Sequence, residues 1–323
     1  MINYFFKRLL GMIPVLLGVT IISFGIINLA PGKFSSLDQA MNPKVSADYQ
    51  ARLNKAFNLD KPLPVRYVLW LKSFVRFDFG RSFIDNRPVA QKILERMPVT
   101  VGINVLSLLF VFLIAIPVGI RAAVKEGGAF DTATAFSSFV MLSVPTFWLA
   151  LLLMQLLCIR LGWLPISGLH SMDFEYFTPV HKFLDISRHL LLPVFVSSIG
   201  GIAVVSRYMR SSILEALRQP YICAARAKGL PETAVVYKHA LRNALLPIVT
   251  LVGLSIPGLL GGSVIFESIF ALPGLGQLFF QAVMARDIPL IMAEVVLGAL
   301  LTVTGNLIAD ISYAYVDPRI RYK

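Results

Sequence analysis

Long charge-free runs constrain this chain more than any other feature. No Asp, Glu, Lys or Arg lies between Arg8 and Lys33, Arg96 and Arg121, Asp131 and Arg160, Arg188 and Arg207, or Arg242 and Glu267; between Asp287 and Asp310 there is only Glu294. A helix needs roughly 20 apolar residues to cross the hydrocarbon core of a bilayer, and these intervals meet or approach that length. The shortest, Leu190 to Ser206, carries Pro193 near its start. Backbone groups in lipid must be satisfied within the segment or in a closed barrel. The runs lack the alternating pattern of barrel strands, so an all-α membrane protein with six transmembrane helices is expected. Glu294 would then sit near the interface or face the protein interior.

Composition agrees: 56% of residues are hydrophobic and 15% charged, against about 25% charged in an ordinary soluble domain. The first run follows Lys7-Arg8 as a secretory signal would. Its apolar stretch is longer than the usual ~7–15 residues, however, and no small-x-small site precedes Pro31-Gly32, so a retained helix is expected. Cys158 falls on an expected span and Cys223 on a loop of the opposite side, so they are not partners, and neither has metal-ligand spacing.

Basic residues accumulate in cytoplasmic loops. Lys7 and Arg8, the tail with Arg319, Arg321 and Lys323, and the loop from Arg207 to Arg242 all fall on one side of a six-helix topology. Both termini and that loop are therefore expected in the cytoplasm. Gly32 to Met97 falls outside although it holds twelve basic and six acidic residues; loops beyond about 60 residues cross largely regardless of charge. The +12 net charge follows from topology and this segment, and requires no nucleic acid.

The outer segment reads as folded. Ser46–Leu59 and Val65–Phe77 have helical apolar spacing, Phe77-Asp78-Phe79-Gly80 reads as a turn, and Val89–Arg96 as a short helix leading into the second span. Gly162 to His189 is irregular and aromatic, and its histidines 170, 181 and 189 read as solvated or interfacial. Gly258-x-x-x-Gly262 permits close helix approach, within this chain or to another subunit.

The expected spans carry few ionisable groups of the kind that ion-coupled carriers bury, only Glu294 and Asp310. There is no phosphate loop of the Walker type and no nucleotide fingerprint. No HExxH, GxSxG or paired carboxylates occur, so no catalytic residue, cofactor or metal site is expected.

The loop from Arg207 to Arg242 remains. Ser212–Leu217 and Ile222–Leu230 are helical in pattern, and the Ala-rich stretch Ala224-Ala225-Arg226-Ala227-Lys228 has high helix propensity. Gly229 stands where a C-cap glycine would, with Arg226 and Lys228 favourably placed in the last turn. Pro231-Glu232 opens another helix that runs through Pro247 into the fifth span. A short helix of small residues between two spans suits another protein's groove, and equally a plain surface loop.

Ala224-Ala225 with Gly229 resembles the conserved loop of ABC-importer permeases. The strings Ala225–Leu230 (ARAKGL) and His239–Pro247 (HALRNALLP) resemble the dipeptide/oligopeptide/nickel branch, as its B-type subunit. Asn58–Leu63, Phe77–Ser82, Phe266–Phe270 with Pro273–Gly276, Arg286-Asp287, and Asp310, Tyr313 and Asp317–Arg321 carry the likeness over nearly the whole chain. Cys223 departs from the pattern, standing where it has glutamate. The resemblance implies a permease of the bacterial plasma (inner) membrane. Residues 1–31 would form the N-terminus and first helix, 32–97 a folded extracytoplasmic segment, and 98–323 a five-helix core. The coupling loop 207–242 would carry a cytoplasmic coupling helix between the fourth and fifth spans. It further implies a second homologous permease, two cytoplasmic ATPase subunits that hydrolyse the ATP, and an extracytoplasmic substrate-binding protein. Ala224, Ala225, Arg226, Lys228 and Gly229 would contact the ATPase. Peptides are the expected cargo, with nickel or another small solute second; an ion-coupled secondary transporter is the alternative of another class.

Overall fold

The computed structural model describes residues 2–29 and 60–316. Ser46–Leu59 and Asp317–Arg321 lie outside the described residues. Helices dominate: Ile2–Leu29, Leu63–Val75, Val89–Val124, Ala129–Ser143, Thr146–Leu153, Pro179–Leu217, Pro220–Ala227, Leu246–Ser255, Val264–Ile269, Leu275–Ala285 and Ile288–Val316. No strand occurs among the described residues beyond an isolated bridge between Arg81 and Pro88.

Among the described residues four helices are long and apolar enough to cross a membrane: Leu10–Leu29, Val89–Val124, Pro179–Leu217 and Ile288–Ile308. The count becomes five if Ala129–Ser143 and Thr146–Arg160, bent by 98°, form one span. Two of the six expected spans are therefore not single continuous helices. In the third, Val144 adopts an extended conformation (φ −87°, ψ 124°) directly before Pro145, because proline's ring disfavours the helical region for the residue it follows. The fifth breaks after ten residues at Ser255, and a 3₁₀ turn, Pro257–Leu260, follows. Pro257 and glycines 258, 261 and 262 are the cause. The freed carbonyls find a donor in Asn104, whose Nδ2 lies 3.3, 2.9 and 3.2 Å from the carbonyl oxygens of Gly258, Leu259 and Gly261. Irregular backbone at membrane depth is tolerated where protein satisfies it in this way.

The fourth run, shortest in the sequence, becomes part of a 39-residue helix with Pro193 inside it. Val89–Arg96 is likewise not a separate helix but the first turns of Val89–Val124, which continues through Pro98. His189 is buried on the Pro179–Leu217 helix rather than solvated, its Nδ1 2.8 Å from the Asp185 carbonyl. Glu294 is half-buried in the first turns of Ile288–Val316.

The chain divides into two units, Met1–Arg96 with Leu278–Val303, and Met97–Gln277 with Thr304–Lys323. In the first, Phe24, Met292 and Val296 form a core against Tyr67, Trp70 and Phe74 of Leu63–Val75. The Trp70 and Phe74 rings pack tilted at 5.4 Å between centroids, and Phe74 meets Phe79 at 5.2 Å. The turn after this helix has Phe77 (φ 59°) and Gly80 (φ 76°) in left-handed conformations, and Asp78 Oδ1 accepts the Gly80 N–H at 3.0 Å. In the second unit, one core gathers Val111, Ala115, Met209, Ile213 and Ile222. A second gathers Ile103, Ala150, Val196, Phe270 and Leu272.

Candidate functional site

The Pro220–Ala227 helix is built by its ends. Gln219 is extended (ψ 147°) ahead of Pro220, whose fixed φ and missing N–H suit the first helical position. At the other end Lys228 is the C-cap and Gly229 turns left-handed at φ 75°. The Gly229 N–H donates to the Arg226 carbonyl at 2.9 Å and the Leu230 N–H to that of Ala225 at 3.4 Å, which is the Schellman arrangement. A Cβ at Gly229 would meet nothing within 4 Å. Conformation therefore selects glycine here, and space does not.

The helix has two faces. Ile222 (0% exposed) and Ala225 (6%) turn inward, three residues apart. They join Met209 and Ile213 of the preceding long helix and Val235 and Ala240 of the following segment. Burying an isoleucine fully is worth about 2 kcal/mol, so Ile222 roots the helix in the protein. Asn243 Nδ2 also donates to the Tyr221 hydroxyl at 2.7 Å. Cys223, Ala224, Arg226, Ala227, Lys228 and Gly229 are exposed. Of the five residues expected to meet a partner, four are thus exposed, and Ala225 belongs to the core instead. Arg226 is engaged within the chain: its Nε and Nη2 donate to the two carboxylate oxygens of Glu232 at 2.7 and 3.3 Å. The exposed Glu232 carboxyl is held below its ordinary range by that hydrogen bond. Neither the Glu232 pairing nor the Asn243 tie has the three- or four-residue spacing that marks helix neighbours, so the sequence carried no signal for them.

A second contact fixes the long helix that leads into this one. Asp131, in the first turn of Ala129–Ser143, accepts Arg210 Nε at 2.5 Å, Arg210 Nη2 at 2.7 Å and the Gly127 N–H at 2.9 Å. The fork matches the carboxylate bidentately. Arg207 lies 4.8 Å over the Phe139 ring, and Gly119 gives Met209 room, since a Cβ there would fall 2.6 Å from the Met209 Cβ.

The motifs of the last expected outer loop have structural roles. Buried Glu267 accepts Thr100 Oγ1 at 3.0 Å and the Gln277 N–H at 2.9 Å. Its charge thus meets the N-terminus of Leu275–Ala285, where the helix dipole favours an anion. Gly274 leaves room for that carboxylate, and Gly262 packs on the Gly276 backbone, so Gly262 acts within the chain. Asp287, fully buried, accepts the Ser82 hydroxyl and the Phe83 N–H, joining segments 205 residues apart. Among the described residues no group of three or more His, Cys, Asp or Glu could hold a metal ion.

The family described as binding-protein-dependent transport system inner membrane component matches residues 115–322, and the corresponding N-terminal family matches residues 1–104. The chain belongs to this family. It is 43% identical, over the whole of both chains, to the oligopeptide transport system permease protein AppB of Bacillus subtilis. It is 36% identical to the dipeptide transport system permease protein DppB of Alkalihalophilus pseudofirmus and 38% to the glutathione transport system permease protein GsiC of Salmonella choleraesuis, again over the full lengths. A chain of the MetNI methionine ABC transporter, in inward-facing conformations, has a similar fold. Its TM-score is 0.54 at 20% identity, covering 71% of this chain and 97% of the other. This inner-membrane component is thus a multi-pass permease, and its family accounts for the apolar helices.

Proposed function

We propose that this permease is half of the translocation pathway of an ATP-driven importer, and that the exposed face of Pro220–Ala227 receives the ATPase. The observation that carries this reading is the helix itself. It is rooted by Ile222 and Ala225, ended by a left-handed glycine, and displays Cys223, Ala224, Ala227 and Lys228 outward. Arg226 stiffens the base through Glu232 and would present only its remaining donors. Because cytoplasmic loops are basic, this surface and both termini lie in the cytoplasm, and residues 32–97 lie outside. Six crossings fit this topology, the third bent at Pro145 and the fifth interrupted at Pro257. A second permease, two ATPases and an extracytoplasmic binding protein complete the importer. Closure of the ATPase pair would then carry the two coupling helices together as rigid bodies. Short peptides are the cargo; the relatives are named for oligopeptides, dipeptides and glutathione, itself a tripeptide.

Proteoliposomes holding both permeases and both ATPases, supplied with the binding protein, test this directly. Uptake of a labelled dipeptide or tripeptide should require ATP and every subunit, and Glu294→Gln should leave it within about twofold. Uptake driven by a proton gradient without the ATPases, and lost in Glu294→Gln, would identify an ion-coupled carrier instead.

A further inference from the structure

The unit formed by Met1–Arg96 and Leu278–Val303 contains a cavity of about 680 Å³, a size typical of small-ligand sites, which run about 300–1,000 Å³. Trp70, Phe79 and Phe83 give it an aromatic wall, and Arg66 and Asp78 a polar one. Arg66 is the informative residue. It is half-buried, and its Nη2 donates to Asn28 Oδ1 at 2.7 Å. That amide is neutral, and among the described residues no carboxylate lies within ion-pair distance of the guanidinium. Burial without a counter-charge pushes Arg66 below its ordinary value. A guanidinium has five N–H donors, and withdrawing one from water is costly unless it is paired. The other cation at the cavity, Arg81, donates to the Asn86 carbonyl at 2.7 Å, while Asp78 uses one oxygen on the Gly80 N–H.

We propose that this cavity binds a short peptide by its C-terminal carboxylate, with Arg66 taking the carboxylate and the aromatic wall taking the last side chain. The proposal rests on the reading of this chain as a peptide-importer subunit. A planar carboxylate matches the arginine fork bidentately. Asp78, which also lines the cavity, suits a peptide's ammonium and opposes the phosphate of an anionic lipid headgroup, the rival occupant. The cavity is formed by the segment that follows the first helix together with the start of Ile288–Val316. In the proposed topology it opens on the outer side, where peptide is released to the permease.

The test uses the complete transporter in phosphatidylcholine nanodiscs, without nucleotide or binding protein, titrated with Ala-Ala-Phe as free acid and as C-terminal amide. The acid should bind at least tenfold more tightly than the amide. Arg66→Gln should bring the acid to the level of the amide, Arg66→Lys should fall between, and Trp70→Ala should weaken both peptides. Size-exclusion behaviour and ATP turnover confirm that each variant is assembled. Equal binding of acid and amide, or an acid preference that survives Arg66→Gln, overturns the proposal. So does loss of peptide binding to the wild type when phosphatidylglycerol is added, which would make the site a lipid site. ATP-driven peptide uptake by the same wild-type complex separates the two readings. Uptake without an acid preference refutes the cavity proposal alone, and absence of peptide uptake refutes the import reading with it.

Discussion

Gly229→Glu should abolish transport while leaving the protein in the membrane at near-normal level. Gly229 sits at φ 75° with open space around its absent Cβ. A side chain there costs about 1–2 kcal/mol for the left-handed backbone, and its Cβ meets nothing within 4 Å. Gly229→Ala measures that strain alone and should retain most activity. Glu adds a long anion to a surface of small residues and Lys228. If the surface is the ATPase contact, a misfit within it costs at least ~2 kcal/mol, or about thirtyfold in affinity. ATPase co-purification and peptide uptake should fall together. Wild-type uptake by Gly229→Glu would remove this surface from the mechanism.

Asp131→Ala should give the largest loss of stability among the single changes considered. Asp131 is 6% exposed and takes three hydrogen bonds, two from Arg210. Removing one partner of a buried pair costs about 3–5 kcal/mol because the other charge is stranded. The Arg210 side chain is 33% exposed, so roughly 2 kcal/mol is expected. Detergent-solubilised protein should melt several degrees lower. Arg210→Lys should not substitute, since an ammonium lacks the fork. The double change Asp131→Ala with Arg210→Ala should be no worse than Asp131→Ala, because the stranded charge is gone. Additive losses in that cycle would show that the two residues act separately. The consequence reaches the site because Arg210 shares its helix with Met209, Ile213 and Ala216, which pack in the same core as Ile222 and Ala225.

The transmembrane runs were legible because lipid excludes charge, and a run without charge is visible in any single sequence. What happens inside a run was not. Pro193 is absorbed within a straight-through helix, while Pro145 marks a 98° bend and Pro257 a break. The glycines that follow Pro257 were a local cue to its break, but nothing local separates Pro145 from Pro193, nor shows that Asn104 satisfies the carbonyls after Ser255. The helix Pro220–Ala227 was legible through its alanines and Gly229. The inward turn of Ala225 was not, because alanine is at home on either face; only its spacing from Ile222 hinted at it. Contacts such as Ser82 with Asp287 join segments 205 residues apart, beyond the reach of local patterning. The motifs around them were nonetheless visible as a resemblance.

Cys223 offers the most direct measurement of the proposed coupling surface without any mutation. It is exposed on the outward face of Pro220–Ala227, and the only other cysteine of the chain, Cys158, is buried. A membrane-impermeant maleimide should label Cys223 in inside-out vesicles stripped of peripheral subunits, and not in sealed right-side-out cells. Adding back the two ATPases should protect it, and removing them should restore labelling. Labelling from the outside, or labelling of inside-out vesicles that is indifferent to bound ATPase, would contradict the assignment of this helix as the cytoplasmic coupling contact.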